Sequence, residues 1–282
     1  MIASETLVRP FLKWAGGKRQ LLPELQSQLP KGYIKSDNFY YEPFLGGGAL
    51  LFNLQPKRAV INDVNAELIN CYKVIKNLVD ELIYDLKTHE NEENYFYSIR
   101  RWDREEEYKN KTLVQRASRV IFLNKTCYGG LFRVNSQGQL NVPFGKYKNP
   151  YILEENVLRA VSSYLNENQI EILNLDFQEA VKNANKGDLI YFDPPYDPVS
   201  SSAKFTGYNS KGFGREEQIR LKETFDELSS RGCNVLLSNA YTEFIVDLYK
   251  DYTQTKISAN RAINSDISKR GKVDEILVKN YD

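Results

Sequence analysis

The chain of 282 residues contains a single histidine, His89, and three cysteines, Cys71, Cys127 and Cys233. One histidine leaves almost no material for Ser-His-Asp hydrolysis or for a histidine-ligated metal centre. The cysteines are odd in number and form no C-x-x-C pair, which predicts free thiols rather than a disulfide or zinc framework. We therefore expect a protein without a metal, working in a reducing cytoplasm, with His89 on a solvated helix surface.

Long apolar runs are also missing from the sequence. No stretch of 18 apolar residues occurs, and residues 1–5 carry no apolar signal-peptide core. The sequence therefore predicts neither a membrane span nor export. Hydrophobic residues make up 41% of the chain and charged residues 27%, as is ordinary for a soluble globular protein. The length allows one large domain, or a core domain interrupted by an inserted module.

Acidic residues are absent between Tyr108 and Pro150, although the whole chain has a net charge of only +1. Basic and aromatic residues alternate in this stretch, and such a cationic face suits both phosphate contacts and base contacts to nucleic acid. The alternative is an ordinary basic helix face neutralised by its acidic neighbours, Glu105, Glu106 and Glu107. The basic residues of the stretch are Lys109, Lys111, Arg116, Arg119, Lys125, Arg133, Lys146 and Lys148.

Strand and helix patterns alternate in the first and last parts of the chain, which predicts an α/β fold with a parallel sheet. The segment between these parts is helical, apart from a polar, Gly-rich loop or hairpin near 127–145. We predict one catalytic domain, residues 1–66 and 168–282, split by an inserted, mostly helical module, residues 67–167, that carries the basic face. The predicted strands are 39–41, 59–61, 170–173, 189–192, 235–237 and 276–278. The predicted helices are 17–29, 48–54, 65–77, which continues into the module, 216–229 and 243–249.

The tetrapeptide Asp193-Pro194-Pro195-Tyr196 follows the apolar run 189–192, where a buried strand is predicted to end. Two prolines fix φ and have no N–H, so their carbonyls are rigid acceptors. Asp193 adds a side-chain acceptor, and Tyr196 adds an aromatic face for stacking. Chemistry on the exocyclic amine of a flipped base requires these three elements together. The motif therefore predicts amine chemistry, and the alternative is a Pro-Pro turn that closes the strand.

A second motif, residues 42–48, has the sequence Glu-Pro-Phe-Leu-Gly-Gly-Gly and follows the first predicted strand. Its glycines permit close approach of a small molecule at the carboxyl end of a parallel strand. Asp63 ends the next strand roughly 20 residues on, where a carboxylate commonly binds both hydroxyls of a ribose. Capping of the following helix is the alternative for Asp63. Asp176 and Phe177 could hold an adenine ring, or could serve as a helix cap and a core aromatic.

Together these pieces resemble the Dam-type DNA adenine-N6 methyltransferases, in the group that orders cofactor motifs, target-recognition insert and catalytic motif along the chain. The resemblance implies a Rossmann-like S-adenosylmethionine-dependent methyltransferase sheet, S-adenosylmethionine as the methyl donor, double-stranded DNA as the substrate and no metal. The segments that carry the resemblance span nearly the whole chain in the order of the family: 11–18, 42–48, 61–65, 128–133, 141–147 and 193–196.

The resemblance also implies roles for single residues. Trp14, Lys18, Asp63 and Asp193 would contact S-adenosylmethionine, with Trp14 and Lys18 near the target-base pocket. On physical grounds alone, Trp14 would be a core aromatic and Lys18 a solvated charge. The catalytic set is Asp193, Pro194, Pro195 and Tyr196, and the rest of the predicted cofactor set is Pro43, Phe44, Gly46, Gly48, Asp176 and Phe177.

In the family, the segment that matches residues 128–133 enters the DNA and reads a GATC site. Arg133 would pair with a guanine, since a guanidinium group binds guanine O6 and N7 together. Leu131 and Pro143 would make apolar contacts with neighbouring bases. The predicted DNA-binding set is Lys125, Tyr128, Leu131, Arg133, Asn141, Pro143, Lys146 and Lys148.

The expected reaction is a direct displacement, in which Asp193 and the Pro194 carbonyl hold the two amine protons and aim the nitrogen lone pair at the methyl group. The absence of a Pro-Cys dipeptide fits an amino methyltransferase better than a cytosine-carbon enzyme. Two other functions stay open: an amino methyltransferase for cytosine N4, RNA or protein glutamine, and a non-catalytic, sequence-specific DNA-binding regulator. A monomer is the simpler expectation, and the gene could lie beside that of a restriction endonuclease.

Overall fold

The computed structural model describes residues 8–33, 37–130, 132–135, 137–198, 212–260 and 272–282. Leu131, one of the predicted DNA-binding residues, lies outside this part of the chain. The described strands form one sheet of seven strands in the order β3-β2-β1-β4-β5-β7-β6. The strands are β1 (Tyr40–Glu42), β2 (Arg58–Asn62), β3 (Gln169–Leu173), β4 (Leu189–Phe192), β5 (Asn234–Ala240), β6 (Thr253–Asn260) and β7 (Lys272–Lys279).

Strands β1 to β5 are parallel to one another, whereas β7 is antiparallel to both β5 and β6. This arrangement confirms the predicted α/β fold. All six predicted strands are present: the ends of β4 agree with the prediction, the others differ by one to three residues, and β7 begins four residues earlier than predicted. Strand β6 was not predicted. Its sequence, Thr-Gln-Thr-Lys-Ile-Ser-Ala-Asn, is mostly polar because it forms an antiparallel edge, where a continuous apolar run is not required.

The order of the strands reverses beside β1, which has β2 on one side and β4 on the other. In open α/β sheets, ligands bind outside the carboxyl ends of the strands at such a reversal. β1 ends at Glu42, directly before the Gly-rich motif, and β4 ends at Phe192, directly before Asp193. The fold therefore brings the two motifs identified in the sequence to neighbouring positions on one edge of the sheet.

The central strands are buried on both faces. Every residue of β4 is buried, and the side chains of Tyr191 and Phe192 belong to separate hydrophobic clusters on the two faces of the sheet. Such alternation follows from the two-residue period of a strand. Helices cover both faces, which explains why β4 is an uninterrupted apolar run.

Ten α-helices accompany the sheet in the described ranges, and none of them is long and apolar enough to cross a membrane. The helix predicted over 17–29 begins late, because Gly16 has φ +76° and the Gly17 N–H donates to Trp14 O at 3.1 Å in a tight turn. The helices are α1 (Leu22–Ser27), α2 (Ala49–Leu54), α3 (Ala66–Asn77), α4 (Val79–Leu86), α5 (Glu93–Arg101), α6 (Leu113–Thr126), α7 (Glu155–Glu167), α8 (Phe177–Val181), α9 (Arg215–Ser230) and α10 (Glu243–Leu248).

Helices α3 to α7 all lie between β2 and β3 in the chain. Helix α6 begins with a capping box, in which the Thr112 side chain accepts from the Gln115 N–H and the Gln115 side chain accepts from the Thr112 N–H. Its buried face shares one hydrophobic core with the sheet. Beyond α6, the described residues of the stretch 127–145 form a loop with antiparallel bridges between Cys127 and Phe144 and between Val134 and Leu140.

His89 is buried, so the prediction of a solvated helix surface was wrong. Its side chain is 3% exposed, and its ring stacks on Phe122 with a centroid distance of 4.4 Å. The two ring nitrogens are each 2.9 Å from a hydroxyl, those of Tyr95 and Ser118. Burial lowers the pKa of His89 to about 4. The residue lies beyond the end of α4, where the chain packs against α5 and α6, and helical periodicity does not reveal such a contact.

Candidate active site

The side chain of Asp193 is held at the carboxyl edge of the sheet by two donors. Its Oδ1 atom lies 2.8 Å from Lys18 Nζ and accepts a hydrogen bond from Ser238 Oγ at 2.8 Å. Ser238 lies on the neighbouring strand β5, and its Oγ accepts from the Tyr191 hydroxyl at 3.0 Å, because its own proton goes to Asp193. Both donors bind Oδ1, and among the described residues no donor is paired with Oδ2. The lone pairs of the second oxygen are therefore not engaged by the described residues.

Lys18 is buried, with 6% of its surface exposed, so it is not the solvated charge that its residue type alone would indicate. Its Nζ donates to Gly16 O at 2.9 Å and lies 4.7 Å from the centroid of the Tyr196 ring. A buried ammonium group requires an opposite charge nearby, which Asp193 supplies. The N-terminal segment thus contributes a positive charge to the motif that follows β4.

Trp14 joins three parts of the molecule. Its ring stacks on Phe132 with a centroid distance of 4.9 Å, and it is buried. A Cβ atom on Gly46 would lie only 2.7 Å from Trp14 Cδ1. Trp14 therefore packs between the Gly-rich turn after β1 and the loop that follows α6.

The turn after β4 is held by hydrogen bonds with residues that belong to no recognisable sequence motif. The Tyr196 hydroxyl donates to Glu275 Oε2 on β7 at 2.7 Å, and Pro195 O accepts from Gln218 Nε2 on α9 at 2.9 Å. The Asp197 N–H donates to Asn239 Oδ1 on β5 at 3.1 Å. Sequence analysis missed these residues, as it missed Ser238, because they are separated from the motif in the chain.

Glycine is required in the turn after β1 by backbone conformation and by close neighbours. Gly46 and Gly48 have φ values of +50° and +67°, in the left-handed region that other residues rarely adopt. A Cβ atom on Gly48 would lie 2.9 Å from the Tyr72 hydroxyl. The Gly46 N–H donates to Asp63 Oδ2 at 3.0 Å, and Tyr72 donates to Gly46 O at 3.1 Å. Pro43 and Phe44 precede this turn, and the turn is tied directly to the end of β2.

Asp63 does not cap α3. The N-cap is Asn65, whose side chain accepts from the Leu68 N–H at 3.1 Å. Asp63 accepts one backbone N–H at each carboxyl oxygen, from Gly46 at 3.0 Å and from Asn65 at 2.9 Å. Burial raises the pKa of Asp63 to about 6. Each carboxylate oxygen has a further lone pair, so the group can still accept from two hydroxyls.

Glu42 is a buried carboxyl group that sequence analysis did not assign to the site. Its Oε2 accepts from the Tyr40 hydroxyl at 2.8 Å and from the Leu51 N–H at 3.2 Å. Burial raises the pKa of Glu42 to about 8, although the hydrogen bond from Tyr40 opposes the shift. Burial thus favours the neutral form of Glu42, whereas Lys18 and Asp193 form an ion pair.

We compared the sequence with known protein families. The family described as D12 class N6 adenine-specific DNA methyltransferase matches residues 14–263 of the chain. The chain belongs to this family. The predicted DNA adenine-N6 methyltransferase activity is thereby confirmed, with DNA as the substrate.

Individual relatives agree with the family. The methyltransferase is 46% identical over 276 residues to the Type II methyltransferase M1.LlaDCHI of Lactococcus lactis subsp. cremoris, across 97% of this chain and 96% of the relative. It is 41% identical over 294 residues to the Type II methyltransferase M.MjaIII of Methanocaldococcus jannaschii, across 97% and 99%. It is 34% identical over 269 residues to the DNA adenine methylase of Escherichia coli K12, across 95% and 94%. These names favour an enzyme over a non-catalytic DNA-binding regulator.

In the methyltransferase, Asp176 is a helix cap and Phe177 is a core aromatic, the structural roles that the sequence offered as alternatives to binding an adenine ring. Asp176 caps α8, and both its oxygens accept from Arg220, at 2.9 and 2.8 Å. Phe177 is 4% exposed and packs on Phe44 with a centroid distance of 5.4 Å. The Arg220 guanidinium lies 4.3 Å from the centroid of the Phe177 ring. Arg220 is thus a further residue of this cluster that sequence analysis missed.

The basic stretch of the methyltransferase is partly neutralised, but by acids other than the predicted Glu105, Glu106 and Glu107. The acids come from α3, the turn after α5, α5 itself and the segment before α7. Lys125 Nζ lies 2.6 Å from Glu154 Oε1, so the charge of this predicted DNA-binding residue is neutralised within the protein. The other pairs are Arg116 with Glu67, Arg119 with Asp103 at 2.9 Å and Lys146 with Glu93 at 3.7 Å.

Six of the predicted DNA-binding residues lie in the described part of the loop after α6 or its continuation. Tyr128 is 63% exposed, and its N–H donates to Pro143 O at 2.9 Å. Arg133 faces Asn141: Nε donates to Asn141 Oδ1 at 3.0 Å, and Nη2 donates to Asn141 O at 3.2 Å. Lys148 is exposed a few residues beyond. Over the described ranges, neither Arg133 nor Lys148 has an acidic partner, so both charges remain available to phosphate or bases.

The loop is tied to the N-terminal segment through Asn124. Asn124 Nδ2 donates to Lys13 O at 2.8 Å and to Gly130 O at 3.1 Å, and its Oδ1 accepts from the Lys13 N–H at 3.0 Å. A Cβ atom on Gly130 would lie 2.6 Å from Lys13 Cδ. Lys13 is exposed beside the loop, and sequence analysis did not select it.

Within the described part of the chain, no group of three or more His, Cys, Asp or Glu side chains is placed to hold a metal ion.

Proposed function

We propose that the methyltransferase transfers the methyl group of S-adenosylmethionine to N6 of an adenine flipped out of duplex DNA, within the sequence GATC. The observation that carries this proposal is the position of Asp193 beside the Gly-rich turn at the strand reversal, with an Oδ2 atom to which none of the described residues donates. Holding the exocyclic amine of an extrahelical base requires such a fixed acceptor.

The residues of the proposed cofactor site suit S-adenosylmethionine. Asp63 ends β2 and retains lone pairs for two hydroxyls, as binding of a ribose requires. Gly46 and Gly47 are only partly buried beside it, and with no side chain of their own they let Trp14 pack closely on the turn. Pro43, Phe44 and Trp14 supply apolar surface around the turn, and Phe177, which follows Asp176 in the chain, packs on Phe44.

Residues of the protein position the adenine amine for methyl transfer. When bound, S-adenosylmethionine supplies an electrophilic methyl group on a sulfonium. Asp193 Oδ2 accepts one proton of the adenine amine in a hydrogen bond, and the carbonyl of Pro194 accepts the other. Lys18 and Ser238 hold the Asp193 carboxylate in place through Oδ1, and Tyr196, anchored by Glu275, offers a fixed ring for stacking. Rate enhancement then derives from orientation and preorganised acceptors.

Replacing Asp63 by alanine is expected to weaken S-adenosylmethionine binding by about 1.5–3 kcal/mol, the range for hydrogen bonds to a charged group. Isothermal titration calorimetry with the purified variant measures this change. Asn65→Ala is the matched control, because it removes the cap of α3 but no proposed ligand contact. If folded Asp63→Ala binds S-adenosylmethionine with unchanged affinity, Asp63 only stabilises the Gly-rich turn and does not contact the cofactor.

Replacing Arg133 by alanine is expected to remove about 1–3 kcal/mol of discrimination at one base position, because a guanidinium group reads guanine bidentately. Lys146→Ala and Lys148→Ala should instead weaken binding to all sequences alike and flatten the salt dependence, as loss of phosphate contacts does. The ion pair of Lys146 with Glu93 is exposed and long at 3.7 Å, so it is weak and leaves Lys146 able to contact a phosphate.

The measurement is the methylation rate at fixed salt on GATC and on each single-base variant of it, for the wild type and the three variants. If Arg133→Ala slows every site equally, Arg133 is a phosphate contact and another residue reads the guanine. If the wild type prefers a different sequence, the GATC assignment fails while adenine methylation stands.

We further propose that residues 67–167 act as the target-recognition module of a catalytic domain formed by residues 1–66 and 168–282, and that the protein works as a monomer. Two relatives are named as Type II methyltransferases, which supports a role beside a restriction endonuclease. A sedimentation mass near 32.7 kDa for the protein alone, and an increase of one such mass when it binds a duplex that carries one site, test the monomer.

A further inference from the structure

The carbonyl of Pro195 has a buried donor of its own. Gln218 Nε2 on α9 donates to Pro195 O at 2.9 Å, and Gln218 is fully buried. Burial makes this hydrogen bond hard to give up, because an unpaired buried donor costs about 1–3 kcal/mol. The Pro195 carbonyl is thereby held towards α9. By contrast, none of the described residues donates to the carbonyl of Pro194.

The orientation of the Gln218 amide follows from backbone groups. The N–H groups of Asp197 and Ala240 both donate to Asn239 Oδ1, at 3.1 and 2.8 Å. A backbone N–H can only donate, so Asn239 must turn its oxygen towards them and its Nδ2 towards Gln218. Asn239 Nδ2 donates to Gln218 Oε1 at 3.0 Å, and Gln218 therefore presents Nε2 to Pro195.

We propose that Gln218, oriented by Asn239, is a positioning residue that selects which carbonyl of the Asp193–Tyr196 turn meets the adenine amine. With Pro195 O engaged by α9, the carbonyl of Pro194 is the partner of the second amine proton. The two buried amides form a continuous chain of hydrogen bonds from β5 to the turn. This inference deepens the proposed function and rests on it for the two acceptors of the amine.

Replacing Gln218 by methionine preserves the length of the side chain but removes the donor to Pro195 O. We expect the single-turnover rate of methyl transfer to fall about tenfold or more, because the turn loses its orientation. Affinities for S-adenosylmethionine and for DNA should stay within about twofold of the wild type, since Gln218 contacts neither proposed site.

Gln254→Met is the matched control. Gln254 Nε2 on β6 also donates to a backbone carbonyl, that of Val246, at 2.9 Å, and it lies apart from the turn. This variant should methylate at the wild-type rate. An unchanged single-turnover rate in Gln218→Met, with normal turnover of the wild type, overturns the positioning role alone. Failure of the wild type to form N6-methyladenine would instead overturn the proposed function.

Gln218→Glu supplies a signature that a merely structural residue would not show. A protonated carboxyl retains both hydrogen bonds, whereas an ionised one loses the donor and places negative charge against Pro195 O. We expect a near-normal single-turnover rate at acidic pH that falls about tenfold or more as pH rises through the pKa of the new glutamate. Other charged groups lie near the turn and are common to both proteins, so the difference between the two pH profiles reports residue 218. They are Asp193 with Lys18, Glu275 against Tyr196, and Asp197 with Arg215.

Parallel pH profiles for Gln218→Glu and the wild type overturn the proposal. Gln218→Glu also tests the proposal if Gln218→Met fails to fold, because at acidic pH its protonated carboxyl keeps the hydrogen bonds to Pro195 and Asn239.

Discussion

Methyl transfer is expected to slow by about a thousandfold or more when Asp193 is replaced by asparagine, the scale on which loss of a preorganised catalytic group acts. Asparagine has nearly the same shape, but it turns either a neutral oxygen or an NH₂ group towards the adenine amine and no longer offers a carboxylate. DNA affinity should change little, because phosphate contacts come from other parts of the chain. Single-turnover methylation and fluorescence anisotropy with a GATC duplex measure the two quantities.

The structure adds a complication to this experiment that the sequence did not show. Asp193→Asn leaves the Lys18 ammonium, 7% exposed at its side chain, without its acidic partner. Removal of one member of a buried pair typically costs about 3–5 kcal/mol, so the variant should also unfold at a lower temperature. The double variant Lys18→Met/Asp193→Asn should recover stability without recovering activity.

Asp247→Asn is the control for the substitution itself, because Asp247 is 78% exposed at its side chain and remote from the turn. It should methylate at the wild-type rate. Near-normal turnover of folded Asp193→Asn would exclude Asp193 as the acceptor of the amine.

The stabilising contribution of His89 should be lost in acid. Its pKa is lowered by burial from 6.5 to about 4, so the unfolded chain binds the proton more readily than the folded one. Stability is therefore fully present above pH 6.5 and falls as the pH drops towards 4. The loss amounts to about 3 kcal/mol, at 1.36 kcal/mol per unit of pKa.

Glu42 and Asp63 titrate in the opposite sense, so the wild type alone does not isolate this effect. Their pKa values are raised to about 8 and about 6, and the stability linked to them is lost as pH rises. The comparison with His89→Gln removes this background, because both proteins retain the two carboxyls. Urea unfolding from pH 7 to pH 4 should show the difference between the proteins shifting by about 3 kcal/mol in favour of the variant. A difference that does not vary with pH would contradict the low pKa of His89.

Several strands and both chemical motifs were predictable from local pattern. β4 is a continuous apolar run because both faces of the sheet are covered, and its predicted and observed ends agree. The Gly-rich turn was predictable because left-handed backbone favours glycine. Edge strand β6 was not predicted, since a strand with few neighbours needs no regular apolar pattern.

The electrostatic environment was not predictable, because the partners of charged groups are distant in the chain. Arg116, Arg119 and Lys125 appeared unopposed in an acid-free stretch, yet each contacts an acid from another element. Lys18 is buried only because the N-terminal segment packs over the carboxyl edge of the sheet. Periodicity reports which face of one element is apolar, but it says nothing about what lies opposite that face.

Local residue order was enough to establish the α/β class, the places where β1 and β4 end, and the residue types available for amine chemistry, since these depend on backbone preferences and short-range periodicity. The reversal of strand order beside β1 then placed the Gly-rich turn next to Asp193. Packing alone supplied Ser238, Gln218, Asn239 and Glu275 to the turn and excluded water from Glu42 and His89. Hydrogen-bond partners and pKa values depend on distances in space, and chain order does not contain those distances until the whole molecule has folded.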